Sequence, residues 1–228
     1  MPLARIGNKV LYFAHVPKTG GTSIESYLAA KGAVALRHPR KLGWSASTPQ
    51  HMPAEVRRAF VPGDFYDFGF GVLRDPVDRL VSAYKMRVKA GPGINPINLP
   101  LRGLGRLRGR ATRRVSFPPF ALELDFDRWL RLALARSARQ PNLYDGHLRP
   151  QTAFLLPGDR RFRFEDGLGP VMRWIDEVTA TPPIAGSFHE KRSAPMEVPV
   201  SARSRETIRA VYAADYAELA RLEGASSG

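Results

Sequence analysis

Two segments of the chain share one arrangement, in which a short apolar run leads through a tight polar turn into a helical pattern. The first apolar run, 10–16, is followed by the turn PKTGG at 17–21 and by a helix that Gly32 can end. The second, 65–73, leads through Arg74 into another helix. Strands that alternate with helices predict a parallel sheet whose ligands bind at the carboxyl ends of the strands. We therefore expect an α/β protein with a three-layer, P-loop-like fold, in which a central parallel sheet is flanked by helices.

Polar residues at both turns predict where the two helices begin. Thr22 and Glu25 have the spacing of a capping box, in which the two side chains satisfy backbone N–H groups at the helix start. At the second turn Asp75 is suited to cap the helix, and Pro76 is suited to its first position. That helix should bury Val77, Leu80, Tyr84 and Val88. Further elements are predicted as helices over 126–138, 170–178 and 205–222 and as a strand over 161–164.

Length and composition favour one domain. The chain has 228 residues, of which 43% are hydrophobic, and a single core commonly serves a chain of this size. It contains no cysteine, which excludes disulfides, thiolate metal sites and a cysteine nucleophile. The early apolar run at 10–16 is far shorter than the roughly 18 residues that a membrane helix needs, and no signal-peptide pattern opens the chain. We expect a soluble protein that stays in the compartment where it is made.

Positive charge is concentrated in one part of the sequence. The chain has 35 Lys and Arg against 21 Asp and Glu, a formal net charge of +14. The segment 79–122 holds ten of the basic residues and not one acidic residue. Its middle, 91–119, is rich in Gly and Pro, which predicts a basic loop inserted into the domain. Two interpretations of this loop remain open, a solvated surface segment and a binding surface for a polyanion.

The turn at 17–21 has the features of a loop that binds a phosphate-like group. A helix N-terminus presents unpaired N–H groups and a partial positive charge, and Gly20 and Gly21 let an anion approach the backbone. Lys18 adds a full positive charge. Hydroxyl groups are supplied by Thr19, Thr22 and Ser23. The order differs from the Walker A pattern, in which the lysine follows the glycines.

Two longer segments resemble the donor-binding motifs of sulfotransferases that use 3′-phosphoadenosine 5′-phosphosulfate (PAPS). FAHVPKTGGTSIE at 13–25 is similar to their 5′-phosphosulfate loop, and VLRDPVDRLVSAYK at 72–85 is similar to their 3′-phosphate strand, loop and helix. Segments at 147–151, 162–165 and 211–216 resemble the carbohydrate branch of these enzymes. The chain resembles the bacterial sulfotransferase family 2 group, which is related to heparan and chondroitin sulfotransferases. Those eukaryotic relatives usually carry a membrane anchor and cysteines, so their absence here indicates a cytoplasmic, bacterial enzyme.

The resemblance implies transfer of a sulfuryl group from PAPS to a hydroxyl of a carbohydrate or glycoconjugate, with PAPS as co-substrate and with no metal required. It assigns the 5′-phosphosulfate to Pro17, Lys18, Thr19, Gly20, Gly21, Thr22 and Ser23. Lys18 would neutralise the departing phosphate, and Arg74 and Ser82 would bind the 3′-phosphate. Two interpretations of Arg79 stay open, a further phosphate contact and a structural salt bridge.

A hydroxyl acceptor needs a base near its departing proton, and histidine is the usual choice because its pKa lies near neutrality. The chain has five histidines: His15, His38, His51, His147 and His189. His51 lies between the two motifs, as the catalytic histidine does in heparan-sulfate-like members, and is the predicted base. His147 is the second choice, and together with Arg149 and Gln151 it is expected to shape the substrate site. Glu165 is read either as an alternative base or as one half of a buried ion pair.

Two other functions compete with sulfuryl transfer. One is a P-loop-like nucleotide kinase or hydrolase, which the position of Lys18 and the lack of an acidic strand end for magnesium disfavour. The other is a non-catalytic protein that binds a polyanion through the basic segment. A nucleic acid is an unlikely partner, because the segment interleaves few aromatic residues that could stack on bases, with only Phe117 and Phe120 at its end.

Overall fold

The computed structural model of the chain describes residues 2–89, 113–117, 120–186, 188 and 197–226. Of the predicted basic loop at 91–119, only 113–117 belong to the described residues. His189 lies outside them. The strands are β1 (Leu3–Ile6), β2 (Lys9–Ala14), β3 (Ala33–Ala35), β4 (Phe68–Leu73), β5 (Arg113–Phe117), β6 (Phe120–Leu124) and β7 (Arg160–Arg163). The helices are α1 (Gly21–Lys31), α2 (Ala54–Phe60), α3 (Pro76–Lys89), α4 (Phe126–Ser137), α5 (Gly169–Thr179), α6 (Ala202–Val211) and α7 (Ala213–Ser226).

Five strands form the central sheet in the order β3-β1-β2-β4-β7. The pairs β2–β4 and β4–β7 are parallel, whereas β1 runs antiparallel to both of its neighbours. Four strands therefore point the same way, which confirms the predicted α/β class with a mostly parallel central sheet. The exception has a local cause. Ile6 pairs with Lys9, so only two residues connect β1 to β2, and such a short link can join strands only in antiparallel fashion.

The sheet is covered on both faces. On one face, Leu11 and Phe13 of β2 pack in a core cluster with residues of α1 and α5. On the other face, Tyr12 and Ala14 pack with Leu219 of α7 and with the region around α2. The alternation along β2 thus produces the three layers that the sequence predicts. A further cluster joins α3, α4 and α6 through buried residues: Leu80, Tyr84, Phe126, Trp129, Ile208 and Tyr212.

The predicted helix starts meet different outcomes. Asp75 caps α3 and Pro76 is its first residue, as expected, since the Asp75 Oδ1 accepts from Val77 N at 2.8 Å. The capping box at Thr22 is wrong: α1 begins at Gly21, its N-cap is Gly20, and no side chain caps it. Glu25 instead turns inward to His15. Gly32 ends α1 as predicted.

Two other expectations need correction. The helix predicted over 205–222 is two helices, α6 and α7, which meet at Tyr212. The Tyr212 hydroxyl is buried and donates to the Leu148 carbonyl at 2.7 Å, which fixes the break against the core. Residues 113–117, predicted as part of a loop, form β5 and pair with β6 in an antiparallel hairpin. Within the described residues, the helices all fall short of the length and apolar character needed to cross a bilayer.

Candidate active site

A cleft of about 950 Å³ opens where β2 and β4 end. One wall is the segment that follows β2, including Lys18 and the start of α1, and another is Arg74 with the adjacent face of α3. A third wall carries Gln50 and His51, and His147 reaches in beside them. The motifs predicted from the sequence therefore meet at the carboxyl edge of the parallel strands, where open α/β sheets bind their ligands.

The loop between β2 and α1 is folded so that its cation and the helix start face the cleft. Lys18 and Gly20 both have left-handed backbone conformations, with φ of 71° and 80°. Only glycine adopts this conformation without strain, which explains Gly20 and makes Lys18 a strained residue at the site. Pro17 and Thr19 are buried and lie outside the cleft lining; the Thr19 hydroxyl donates to the Val16 carbonyl at 2.9 Å. Thr19 thus stiffens the loop from inside.

Gly21 is required by a neighbouring ring. A Cβ atom at this position would lie 2.0 Å from Nε2 of His15, a distance that no real contact shows. His15 is buried directly against the first turn of α1, where its ring also stacks on Phe13 with centroids 5.3 Å apart. The sequence predicts Gly21 as a point of close anion approach, and the structure adds that the missing side chain makes room for His15.

Arg74 lies beside the loop that carries Lys18, since its Nη1 donates to the Lys18 carbonyl at 3.4 Å, and its backbone is held by a neighbouring side chain. The amide of Gln151 accepts from Arg74 N at 2.9 Å and donates to Arg74 O at 2.7 Å. The guanidinium lies over the Phe164 ring at 4.6 Å, and its Nε atom is buried with no hydrogen-bond partner among the described residues. Burial lowers the pKa of Arg74, although arginine stays charged at neutral pH. A half-buried cation with an unused donor, in the same cleft lining as Ser82, suits an anionic ligand.

The charges that line the cleft are mainly positive. Lys18, Arg37, Arg74 and Lys85 face it, against the carboxylates of Glu25 and Asp78. Lys18 reaches across to α3, where its Nζ lies 3.7 Å from the sulfur of Met86. Converging cations in a concave site raise the local concentration of anions, so the cleft favours a negatively charged ligand.

Three histidines form a row along the cleft. The His15 and His51 rings lie 4.5 Å apart and the His51 and His147 rings 5.6 Å apart, both edge to face. Nδ1 of His51 lies 3.1 Å from the backbone oxygen of His15, which can only accept. Nδ1 therefore carries the proton, and Nε2 of a neutral His51 has the lone pair that a base needs.

Burial keeps this row uncharged. It is the main cause that lowers the pKa of all three histidines, and the lowering is largest for His51 and His147. The His15 side chain adds to the lowering at His51, and His51 does the same at His147. Nδ1 of His147 is buried without a hydrogen-bond partner among the described residues. The imidazoles are therefore unprotonated at neutral pH, the state in which Nε2 of His51 has a lone pair for a proton.

A buried carboxylate stands behind this row, and sequence reasoning missed its role. Glu25 accepts from Nδ1 of His15 at 2.5 Å and from Nε2 of Gln50 at 2.8 and 2.9 Å. Arg37 approaches it at 3.4 Å. Burial alone would raise the pKa of Glu25, but the hydrogen bonds from His15 and Gln50 lower it, so the carboxylate is ionised. The available signal was an acidic residue beside Ile24, on the inward side of α1.

Three residues predicted to act at the site have other partners. Arg79 is fully buried and donates to the backbone oxygens of His147 and Arg149, at 3.3 and 2.8 Å. It is neither a phosphate contact nor the expected salt bridge, because the site offers it backbone carbonyls. Arg149 pairs with Glu55 at 3.1 Å, and both it and Gln151 lie outside the cleft lining. Direct contact of Arg149 and Gln151 with a substrate thus finds no support in this geometry.

Glu165 also differs from both of its predicted roles. It is exposed rather than buried, lies outside the cleft lining, and accepts from Asp75 N at 2.8 Å. Its carboxylate supports the start of α3. His38 is exposed on the surface, where it accepts from Arg40 N.

The residues that build the cleft belong to a part of the chain that matches a known protein family. Among the described residues, no group of three or more His, Cys, Asp or Glu is arranged to hold a metal ion. No curated protein and no solved structure matches the chain. Residues 3–167, which contain both strand–loop–helix units and the histidine row, match the family model described as "Sulfotransferase family". The chain belongs to the sulfotransferase family, whose members transfer sulfuryl groups.

Proposed function

We propose that this protein transfers a sulfuryl group from PAPS to a hydroxyl group of a carbohydrate or glycoconjugate. The observation that carries the proposal is that two separate anion-binding elements face one cleft. The uncapped start of α1 with Lys18 forms one, and Arg74 with Ser82 forms the other. A donor with a phosphosulfate at one end and a phosphate at the other needs two such elements.

Each element suits its part of the donor. The N–H groups at the start of α1 and the ammonium of Lys18 would hold the 5′-phosphosulfate, helped by Thr22 and Ser23 in the cleft lining. The guanidinium of Arg74 would bind the 3′-phosphate as a charged fork, and Ser82 would add a hydroxyl. Because Phe164 stacks on the guanidinium of Arg74, the arginine is held in place before the donor arrives.

The transfer itself needs positioning and charge stabilisation. The acceptor oxygen forms a bond to sulfur while the bond from sulfur to the bridging phosphate oxygen breaks, so that the products are a sulfate ester and 3′-phosphoadenosine 5′-phosphate (PAP). Lys18 stabilises the negative charge that grows on the bridging oxygen. Nε2 of His51 takes the hydroxyl proton and later releases it to water, and His147 lies close enough to orient the hydroxyl.

Two features support an anionic carbohydrate acceptor, namely the resemblance to carbohydrate enzymes and the charge of the cleft. Arg37 and Lys85 line it in addition to the residues assigned to the donor. These extra cations favour an acceptor that carries carboxylate or sulfate groups.

The contribution of the basic segment at 91–119 is tested by neutralising its arginines together, which should raise the KM for an anionic acceptor and leave the PAP affinity unchanged.

A thermal-shift comparison of PAP, ATP and a DNA oligonucleotide separates the three candidate functions. Selective stabilisation by PAP is expected, because a ligand that binds only the folded state raises its unfolding temperature. Equal or greater stabilisation by ATP would favour a nucleotide kinase or hydrolase. Stabilisation by the oligonucleotide alone would favour a non-catalytic polyanion binder and would overturn the proposal.

A further inference from the structure

The Glu25 carboxylate joins three parts of the cleft that are distant in sequence. Its side chain is only 2% exposed, yet it contacts three residues of the cleft lining. These are His15, which precedes the loop between β2 and α1 (the donor loop), Gln50, which precedes the predicted base His51, and Arg37. The transfer mechanism does not require a carboxylate at this place. A buried, ionised group with several donors converging on it costs free energy to desolvate, so its role calls for a physical explanation.

Its contacts fix both sides of the base. Glu25 holds Gln50, the residue immediately before His51, through two hydrogen bonds to one amide nitrogen. It also holds the ring of His15, whose backbone oxygen accepts from Nδ1 of His51. The position of His51 and the nitrogen that carries its proton therefore both depend on neighbours anchored by one carboxylate.

The same contact also reaches the donor loop. Because Nδ1 of His15 bonds to Glu25, the opposite edge of the ring is pressed against Gly21, the first residue of α1. Rotation of the His15 ring would push against the helix start that faces the cleft. Glu25 thus ties the anion-binding end of α1 and the base to a common support.

We propose that Glu25 is a positioning residue, which holds His51 with its Nε2 lone pair toward the cleft and keeps it in register with the donor loop. The inference rests on the proposed function for its catalytic meaning, but the arrangement of the histidines can be measured without any turnover. A carboxylate suits this position because both of its oxygens accept. In Glu25→Gln, one oxygen is replaced by a donor that opposes the N–H groups of Gln50 or the guanidinium of Arg37.

Nitrogen NMR of the histidine rings tests the inference in the full chain, with and without PAP. In the wild type, His51 should be protonated at Nδ1. In Glu25→Gln, the signals should show a mixture of the two tautomers. The affinity for PAP should fall by no more than about threefold, because Lys18 and Arg74 are unchanged and only the support of the α1 start through His15 is weakened. An unaltered Nδ1–H tautomer of His51 in a folded Glu25→Gln protein would overturn the inference.

Kinetics and a rescue variant separate positioning from mere stability. With a glycosaminoglycan acceptor, Glu25→Gln should lower kcat about tenfold or more at nearly constant KM for PAPS. The exchange variant Glu25→Gln/Gln50→Glu restores one carboxylate and one amide in the cluster, and it should recover part of the lost kcat and the Nδ1–H tautomer. Glu218→Gln, at a partly buried carboxylate paired with Arg161 at 2.7 Å, is the matched control and should keep wild-type kcat.

The outcomes distinguish this inference from the proposed function. If the wild type fails to bind PAP, the donor assignment fails while the NMR comparison still reports on Glu25. If PAP binds and the exchange variant stays as impaired as Glu25→Gln, the positioning role is wrong and the donor assignment stands.

Discussion

The two strand–loop–helix units look alike in sequence but end in helices with opposite requirements. The start of α1 has a glycine N-cap, no capping side chain and no acidic residue in its first turn. The start of α3 is already satisfied, since Asp75 accepts from Val77 N and Asp78 N, and Glu165 accepts from Asp75 N. Only the first helix therefore leaves its partial positive charge for a ligand. At the second unit, anion binding depends on side chains, of which Arg74 is the principal one.

The largest effect is expected at the first unit, where the start of α1 is uncapped. Lys18→Ala should lower kcat by about 100- to 1,000-fold, because the ammonium acts on charge that develops during transfer. Lys9→Ala, which removes a surface lysine paired with Asp67 at 3.1 Å, is the control and should retain full activity. Full activity of Lys18→Ala in a radiolabelled-PAPS assay would remove the first unit from the chemistry.

Loss of the base should be nearly as severe, with a different signature. His51→Ala is expected to lower kcat about 100-fold and to leave PAP affinity nearly unchanged, because the ring serves the acceptor proton. The same measurements on His147→Ala provide the comparison. If His147→Ala loses turnover and His51→Ala does not, His147 is the base.

At the second unit, where the start of α3 is capped, the expected effect is on the affinity for PAP. Arg74→Ala should weaken PAP about 10- to 100-fold, the value of a charge-assisted contact to a phosphate. Titration calorimetry measures it directly. Arg128→Ala, at an exposed arginine on α4, should bind PAP like the wild type, and equal affinities of all three proteins would contradict the assignment of Arg74.

The histidine row predicts how stability depends on pH. Burial lowers the pKa of His15, His51 and His147, so below about pH 6.5 the unfolded chain binds protons that the folded chain does not. The free energy of unfolding should therefore fall as the pH falls, by up to about 1.4 kcal/mol per pH unit for each neutral histidine. His147→Gln should reduce this slope in urea titrations, because it removes one of the buried histidines. A slope unchanged in His147→Gln would contradict the buried, neutral state.

The smallest effect tests the two helix starts against each other. Asp75→Ala should cost about 0.5–2 kcal/mol of stability, because it removes an N-cap. Thr22→Ala should cost less than about 0.5 kcal/mol, since Thr22 does not cap α1. Equal losses in chemical denaturation would mean that the two units are capped alike.

Features encoded by neighbouring residues could be predicted from the sequence. Gly20 and the Asp75–Pro76 pair act through local backbone geometry, and the two apolar runs specify strands that are buried on both faces. The antiparallel β1 was missed although its cause, a two-residue turn containing Gly7, is also local. Short turns of that kind deserve weight in predicting strand direction.

Features that depend on packing between distant segments could not be predicted. Glu25 has the spacing of a capping residue, yet its carboxylate meets a histidine ten positions before it and a glutamine from another segment. Gln151 and Arg79 were expected near substrate or phosphate, whereas they serve the backbone of Arg74 and of the segment around His147. An arginine or a glutamine in the sequence can donate either to a ligand or to a buried backbone carbonyl, and its neighbours in the sequence do not distinguish the two roles.

The central claim is that the first unit binds the 5′-phosphosulfate and the second unit binds the 3′-phosphate. It is tested most directly by comparing the affinities for PAP and for adenosine 5′-phosphate, which lacks the 3′-phosphate. The wild type should bind PAP about tenfold or more tightly than the shorter nucleotide. Arg74→Ala should lose this preference, while Lys18→Ala should bind both nucleotides more weakly and keep it. Retention of the full preference in Arg74→Ala, or its loss in Lys18→Ala, would contradict the account.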